Sequence, residues 1–209
     1  AGACGIGSCN TGFGDCDGVA ANGCETDTRG AVAHCGSCNN ACAARPNAAP
    51  LCSASACGLG ACNAGFANCD GNAANGCEVN TQTTVTSCGA CGRACSFSNG
   101  SAACVAGACA LDACNAGFAD CNATASDGCE VNTASSLTHC GLCGRSCSFP
   151  NAAPACNSGV CAIGSCAAGF ADCNGAAVDG CEVRVTNDVR NCGACGRVCA
   201  SGSACVAGA

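Results

Sequence analysis

The sequence predicts a small disulfide-rich fold: tandem repeats of short antiparallel β-hairpins and coil, with little or no helix, drawn out into an elongated rod. Three observations carry that reading. Cysteine fills 32 of 209 positions, well past the share of about 8–10% that marks a disulfide scaffold. The cysteines recur in one fixed rhythm. Large apolar side chains are scarce: Met, Trp and Tyr are absent, there are six Phe, and most of the 49% hydrophobic content is Ala and Cys. Such a sequence cannot assemble a conventional core, and units of roughly 50 residues need covalent staples.

The rhythm divides the protein into four repeats, residues 4–56, 57–108, 109–160 and 161–209, the last shortened or continuing beyond residue 209. Repeat 1 carries Cys4, Cys9, Cys16, Cys24, Cys35, Cys38, Cys42 and Cys52. Repeat 2 carries Cys57, Cys62, Cys69, Cys77, Cys88, Cys91, Cys95 and Cys104. Repeat 3 carries Cys109, Cys114, Cys121, Cys129, Cys140, Cys143, Cys147 and Cys156. Repeat 4 carries Cys161, Cys166, Cys173, Cys181, Cys192, Cys195, Cys199 and Cys205. From Cys9 the intervals are 7, 8, 11, 3, 4, 10, 5 and 5, and they return almost unchanged from Cys62, Cys114 and Cys166. All are assigned to disulfides. Eight cysteines allow 105 pairings, and the spacing does not choose among them; closure within a repeat or with its immediate neighbour is expected of an array.

Within a repeat each element has its own signal. Gly-Phe-x-x-Cys and Cys-Glu-Val flank a connection punctuated by Asp-Gly or Asn-Gly, as in Gly65-Phe66…Cys69-Asp70-Gly71…Asn75-Gly76-Cys77-Glu78-Val79. Those dipeptides are strong turn formers, so the flanks read as two short antiparallel strands. Cys-Gly-x-Cys reads as a tight turn, because Gly accepts positive φ at little cost. No apolar stripe at helical spacing lasts beyond a turn.

The charge balance narrows the partners. Lys is absent, the seven cations are all Arg, and the net charge is −7, so the basic face a nucleic-acid binder needs is missing. No apolar run is long enough to span a bilayer. Cystine density points to an oxidising compartment, extracellular or at the cell surface. Ala1-Gly2-Ala3-Cys4 repeats Ala106 to Cys109, and Cys205 to Ala209 repeats Cys104 to Ala108. The expectation is that further repeats flank this segment or that copies join end to end.

Several motifs invite chemistry. Cys-x2-Cys-x3-Cys resembles half of a zinc site, but zinc wants four reduced ligands, and His34 and His139 give way to Ser87 and Asn191 in the other repeats. Haem attachment fails because no His follows the Cys-x-x-Cys pair, and a thioredoxin-like role lacks its βαβ setting. The carboxylates and amides Asp15, Asp17, Asn22 and Glu25 in repeat 1, and Asp172, Asn174, Asp179 and Glu182 in repeat 4, are calcium candidates. The competing reading is Asx turns that hold a hairpin. Hydroxyl clusters (Thr81, Thr83, Thr84, Thr86 and Ser87; Thr133, Ser135, Ser136 and Thr138) are candidates for O-linked sugar, and Asn99 and Asn122 open N-glycosylation triplets. No nucleophile–base set repeats, so no enzyme and no cofactor are expected.

The frame Gly-Phe-x-[Asp/Asn]-Cys-[Asp/Asn]-Gly…Gly-Cys-Glu…Cys-Gly-x-Cys-Gly-x-x-Cys runs through all four repeats. It resembles the cysteine-rich tandem repeats of large secreted bacterial proteins, which resemble in turn the stigma-specific-protein-like extracellular family. Departures fall at Asn39, where the other repeats have Gly, at Thr26 in place of Val, and in the shortened Cys199–Cys205 interval. The resemblance implies secretion and disulfides, not an activity. The expected function is structural: a disulfide-stapled extracellular rod that self-associates into a surface fibre, filament or matrix, with covalent glycans. An adhesion or ligand-binding stalk and a calcium- or metal-binding repeat protein are the alternatives.

Overall fold

A computed structural model describes residues 5–209; Cys4 lies outside the described residues. Among these there is no α-helix. There are fourteen short strands in seven separate two-stranded sheets, and four single-turn 3₁₀ segments. This is the small disulfide-rich repeat fold that the cysteine rhythm predicts.

The protein folds as two compact units. One takes the residues up to Cys95 together with Ala103–Ala110, the other Ser96–Ala102 with Leu111–Ala209.

In the first unit, β1 (Phe13–Gly14) pairs antiparallel with β2 (Thr26–Asp27), placing Phe13 opposite Asp27. A 3₁₀ turn, Val32–His34, leads into the Cys-Gly-x-Cys segment. Strands β3 (Ala48–Ser53) and β4 (Ala56–Cys62) then form a longer hairpin. The pattern returns with β5 (Phe66–Ala67) against β6 (Val79–Asn80) and the 3₁₀ turn Val85–Ser87. Strands β7 (Gly100–Val105) and β8 (Ala108–Cys114) contribute residues to both units. In the second unit, β9 (Phe118–Ala119) pairs with β10 (Val131–Asn132), β11 (Ala152–Asn157) with β12 (Val160–Cys166), and β13 (Phe170–Ala171) with β14 (Val183–Arg184).

The short pairs are the predicted hairpins. The longer ones are an addition. Their turns have two consecutive residues at positive φ: Ala54 and Ser55 at 49° and 67°, Ala106 and Gly107 at 50° and 76°, Ser158 and Gly159 at 49° and 81°. That is the conformation a two-residue hairpin turn needs. Pro50 and Pro154 sit at register shifts in β3 and β11, where a residue with no N–H removes no ladder bond.

Sulfur makes up the core. The side chains below 2% exposure are Cys35, Cys77, Cys88, Cys129, Cys140 and Cys181, while Val178 is 86% exposed and Val198 69%. Among the described residues fifteen cystines are closed. Twelve lie inside a repeat. In repeat 1 these are Cys9–Cys24, Cys16–Cys38 and Cys35–Cys52, and the other repeats copy them. Three join neighbouring repeats: Cys42–Cys57, Cys95–Cys109 and Cys147–Cys161.

Hydrogen bonds reinforce those junctions. Asn47, at φ 52°, donates its amide to Cys77 O at 3.1 Å, and Cys77 N donates to Pro46 O at 2.9 Å. Asn99 with Cys129, and Asn151 with Cys181, repeat the arrangement.

Candidate functional site

Three groups of side chains attract attention from sequence: the acidic loop, the cysteine cluster with its adjacent His, and the hydroxyl and amide sugar acceptors.

The acidic loop connects the two strands of each short hairpin. Glu25 Oε1 accepts from Cys16 N at 2.9 Å, closing the loop at its base. Glu78, Glu130 and Glu182 do the same for Cys69, Cys121 and Cys173 at 2.8, 3.0 and 3.0 Å. Asp15 and Asp172 accept from Gly18 N and Gly175 N. Asp17 Oδ1 accepts from Val19 N and its Oδ2 from the Asn22 amide at 2.8 Å. In repeat 2, Asp70 and Asn75 make the same pair. In repeats 3 and 4 it is reversed: Asn122 donates to Asp127 at 2.9 Å and Asn174 to Asp179 at 2.8 Å. One carboxylate and one amide are kept, and which partner carries the charge is exchanged.

At three of these carboxylates the bonds favour the ionised form. Asp17 lies below the ordinary aspartate range because the Val19 N–H and the Asn22 amide bond it; Asp70 is lowered by Asn72 and Asn75 in the same way. Glu25 is lowered by backbone N–H groups, its own and that of Cys16. The carboxylate oxygens of Asp15, Asp17 and Glu25 come within 4.8 Å of one another, and no other three carboxylates do so among the described residues. The only oxygens of that cluster without a hydrogen-bond donor among the described residues are Asp15 Oδ2 and Glu25 Oε2. Calcium takes six to eight oxygen ligands. In repeat 4, Asp172, Asn174, Asp179 and Glu182 act as turn and loop acceptors or as the partners of such acceptors.

In the cysteine cluster the three sulfurs of one Cys-x2-Cys-x3-Cys segment go to three different places: Cys35 to Cys52, Cys38 to Cys16, Cys42 to Cys57. Sulfurs of Cys35, Cys42 and Cys52 lie within 4.8 Å of one another because two cystines stack; in repeats 2 and 3 the third sulfur comes from the other cystine of the pair, Cys109 and Cys161. Bonded sulfurs are not thiolate ligands, and no Cys-x-x-Cys pair is bonded to itself.

The residue before the first cysteine shares one job across all four repeats. His34 Nδ1 accepts from Asn39 N at 3.0 Å and His139 Nδ1 from Gly144 N at 3.0 Å. Ser87 Oγ accepts from Gly92 N at 3.2 Å and Asn191 Oδ1 from Gly196 N at 2.7 Å. Imidazole, hydroxyl and amide carbonyl are interchangeable as acceptors. The sequence showed this substitution pattern; its meaning needed the geometry.

Cys199 departs from the predicted disulfide set: it has no bonded partner among the described residues. Its counterparts Cys42, Cys95 and Cys147 are bonded to Cys57, Cys109 and Cys161. It sits beside the Cys192–Cys205 cystine on a cavity of 260 Å³ lined by Arg197, Val198, Ala200, Ser203 and Ala204.

Among the sugar acceptors, Thr81, Ser87 and Thr133 are buried, and Thr81 donates to Gly65 O at 3.0 Å. Thr84 and Ser136 are half-buried, while Thr83, Thr86, Ser135 and Thr138 are exposed. The amide nitrogens of Asn99 and Asn122 already donate to Cys129 O and Asp127 Oδ2.

Comparison with known protein families, curated proteins and solved structures finds no match. What the geometry defines is a class: a disulfide-rich tandem-repeat protein whose polar motifs are spent on turns.

Proposed function

We propose that the protein is a structural extracellular element: a disulfide-stapled repeat rod that self-associates into a surface fibre, filament or matrix and carries glycans on its exposed hydroxyl residues. The observation that carries this reading is the junction. Each described repeat boundary is closed by a cystine and by an asparagine amide reaching into the following repeat, as Cys42–Cys57 and Asn47 to Cys77 do. A series of units joined this way transmits load through covalent bonds. Three further points support it. Disulfide density belongs to an oxidising, extracellular setting. The resemblance to secreted cysteine-rich bacterial repeats points the same way. Thr83, Thr86, Ser135 and Thr138 are exposed, in loops that offer sugar attachment without unfolding.

Electron microscopy of the oxidised protein at rising concentration tests assembly. Linear particles that lengthen with concentration are expected; monomers at high concentration overturn the filament. Intact mass against 19.6 kDa reports glycans on the secreted protein.

A further inference from the structure

We infer that Asn22 is a site of spontaneous, structure-selected deamidation, which converts the repeat 1 loop from an amide–carboxylate clamp into a pair of facing carboxylates. The sequence has four Asn-Gly dipeptides, at 22–23, 75–76, 99–100 and 174–175. Glycine after asparagine leaves the backbone nitrogen unshielded by a Cβ. That nitrogen can attack Asn Cγ, forming a five-membered succinimide as the bond from Cγ to the amide nitrogen Nδ2 breaks. The attacking nitrogen's proton leaves with the amide as ammonia. Water then adds to either imide carbonyl and opens the ring to aspartate or isoaspartate. No oxidant or enzyme is needed.

The four dipeptides share a sequence but not a setting. Gly175 N donates to Asp172 Oδ1 at 2.6 Å, so the proton it must lose and its orientation are committed. At the third dipeptide, Gly100 is bridged to Phe97, and a Cβ on it would meet Leu111 Cδ1 at 2.6 Å. Gly23 N and Gly76 N donate to no acceptor among the described residues. Those two differ in room. A Cβ on Gly76 would meet Pro46 N at 2.8 Å, and Asn75 Oδ1 is buried. A Cβ on Gly23 would meet nothing within 4 Å, and Asn22 is exposed. Only Asn22 has an unbonded nucleophile and space for the ring. In repeats 3 and 4 the equivalent glycines, Gly128 and Gly180, donate to Ala125 O and Ala177 O at 3.2 and 3.1 Å, and the residue before them is already Asp.

The product has a defined consequence. Asn22 Nδ2 now donates to Asp17 Oδ2; a carboxylate there has no proton to give. Repeats 3 and 4 carry Asp at this position only opposite Asn122 and Asn174. Repeat 1 keeps Asp17, so the converted loop faces charge with like charge and opens. The conversion also adds one negative charge to a protein at −7.

The test is incubation of the intact oxidised protein in mildly alkaline buffer, followed by peptide mapping that scores aspartate and isoaspartate at all four dipeptides. Conversion at Asn22 several-fold faster than at Asn75, Asn99 and Asn174 is expected; equal rates at the four, or a faster one elsewhere, overturn the inference. For the consequence, Asn22→Asp is compared with wild type by amide exchange at Val19. Several-fold faster exchange is expected, restored by adding Asp17→Asn, which recreates the reversed pair of repeats 3 and 4. Unchanged exchange in Asn22→Asp, or failure of the second change to restore it, overturns the loop opening.

Discussion

Cys52 and Cys57 face each other across the β3–β4 hairpin, yet they are not bonded to each other: Cys52 reaches back to Cys35 and Cys57 to Cys42. The hairpin hangs from two side-by-side cystines, and the second of them crosses a repeat boundary. Cys156 and Cys161 repeat the relationship across β11 and β12.

Replacing both Cys42 and Cys57 by Ser removes the covalent pin between repeats 1 and 2 and leaves Cys35–Cys52 in place. For a sequence separation of 15, loop-closure entropy puts the loss at about 3 kcal/mol. Guanidinium unfolding of the oxidised variant measures it; an unchanged midpoint would show that the junction is held by Asn47 and its neighbours alone.

His139→Asn keeps the acceptor for Gly144 N, as Asn191 does for Gly196, and should melt with the wild type. His139→Ala removes the acceptor and costs about 0.5–1.5 kcal/mol. Thermal unfolding and amide exchange at Gly144 check the pair. A metal-ligating histidine would give the opposite pattern, with both variants impaired in metal uptake.

Gly36 holds φ at 78° and its missing Cβ would lie 2.7 Å from Ser55 O. Gly36→Ala therefore sets the Cys-Gly-x-Cys turn against the tip of the β3–β4 hairpin. A loss of about 1–3 kcal/mol is expected, read as a lowered melting temperature, with Gly30→Ala, which meets nothing within 4 Å, as the control.

Asp27 is bound by the Arg29 guanidinium and its backbone N–H, which lower its pKa from 3.8 to about 2. Because the folded value lies below the ordinary one, the pair contributes above pH 3.8 and is lost as the pH falls through about 2. Carboxyl NMR of Asp27 should titrate near that lower value, and Arg29→Gln should return it toward 3.8. Arg29 also lies over the Phe13 ring, 4.8 Å from its centroid, so the ring resonances should shift in the same variant.

The short hairpins were legible because Gly-Phe, Asn-Gly and Cys-Glu-Val mark both strands and the loop between them. The longer hairpins were not. Their turn at Ala54-Ser55 adopts positive φ without a glycine or asparagine, and strands such as Ala48-Ala-Pro-Leu-Cys-Ser show no polar–apolar alternation because few side chains are large enough to reveal one. Disulfide pairing was hidden for a different reason: Cys52 and Cys57 are neighbours in space with separate partners, a fact of register that interval counting does not contain. The acidic loop was visible as a motif, but its internal use appears only when Asp17–Asn22 is set beside Asn122–Asp127.

The cystines also overlap along the sequence. Cys9–Cys24 encloses Cys16, Cys16–Cys38 encloses Cys35, and Cys35–Cys52 encloses Cys42, which closes on Cys57. Between Cys9 and Cys205, the backbone is unspanned by a bridge only from Cys57 to Cys62, Cys109 to Cys114 and Cys161 to Cys166. A protease that cuts anywhere else in that range nicks the molecule without severing it. The three places where one cut would part the polypeptide lie in β4, β8 and β12, engaged in hairpins that a protease cleft must first pull open.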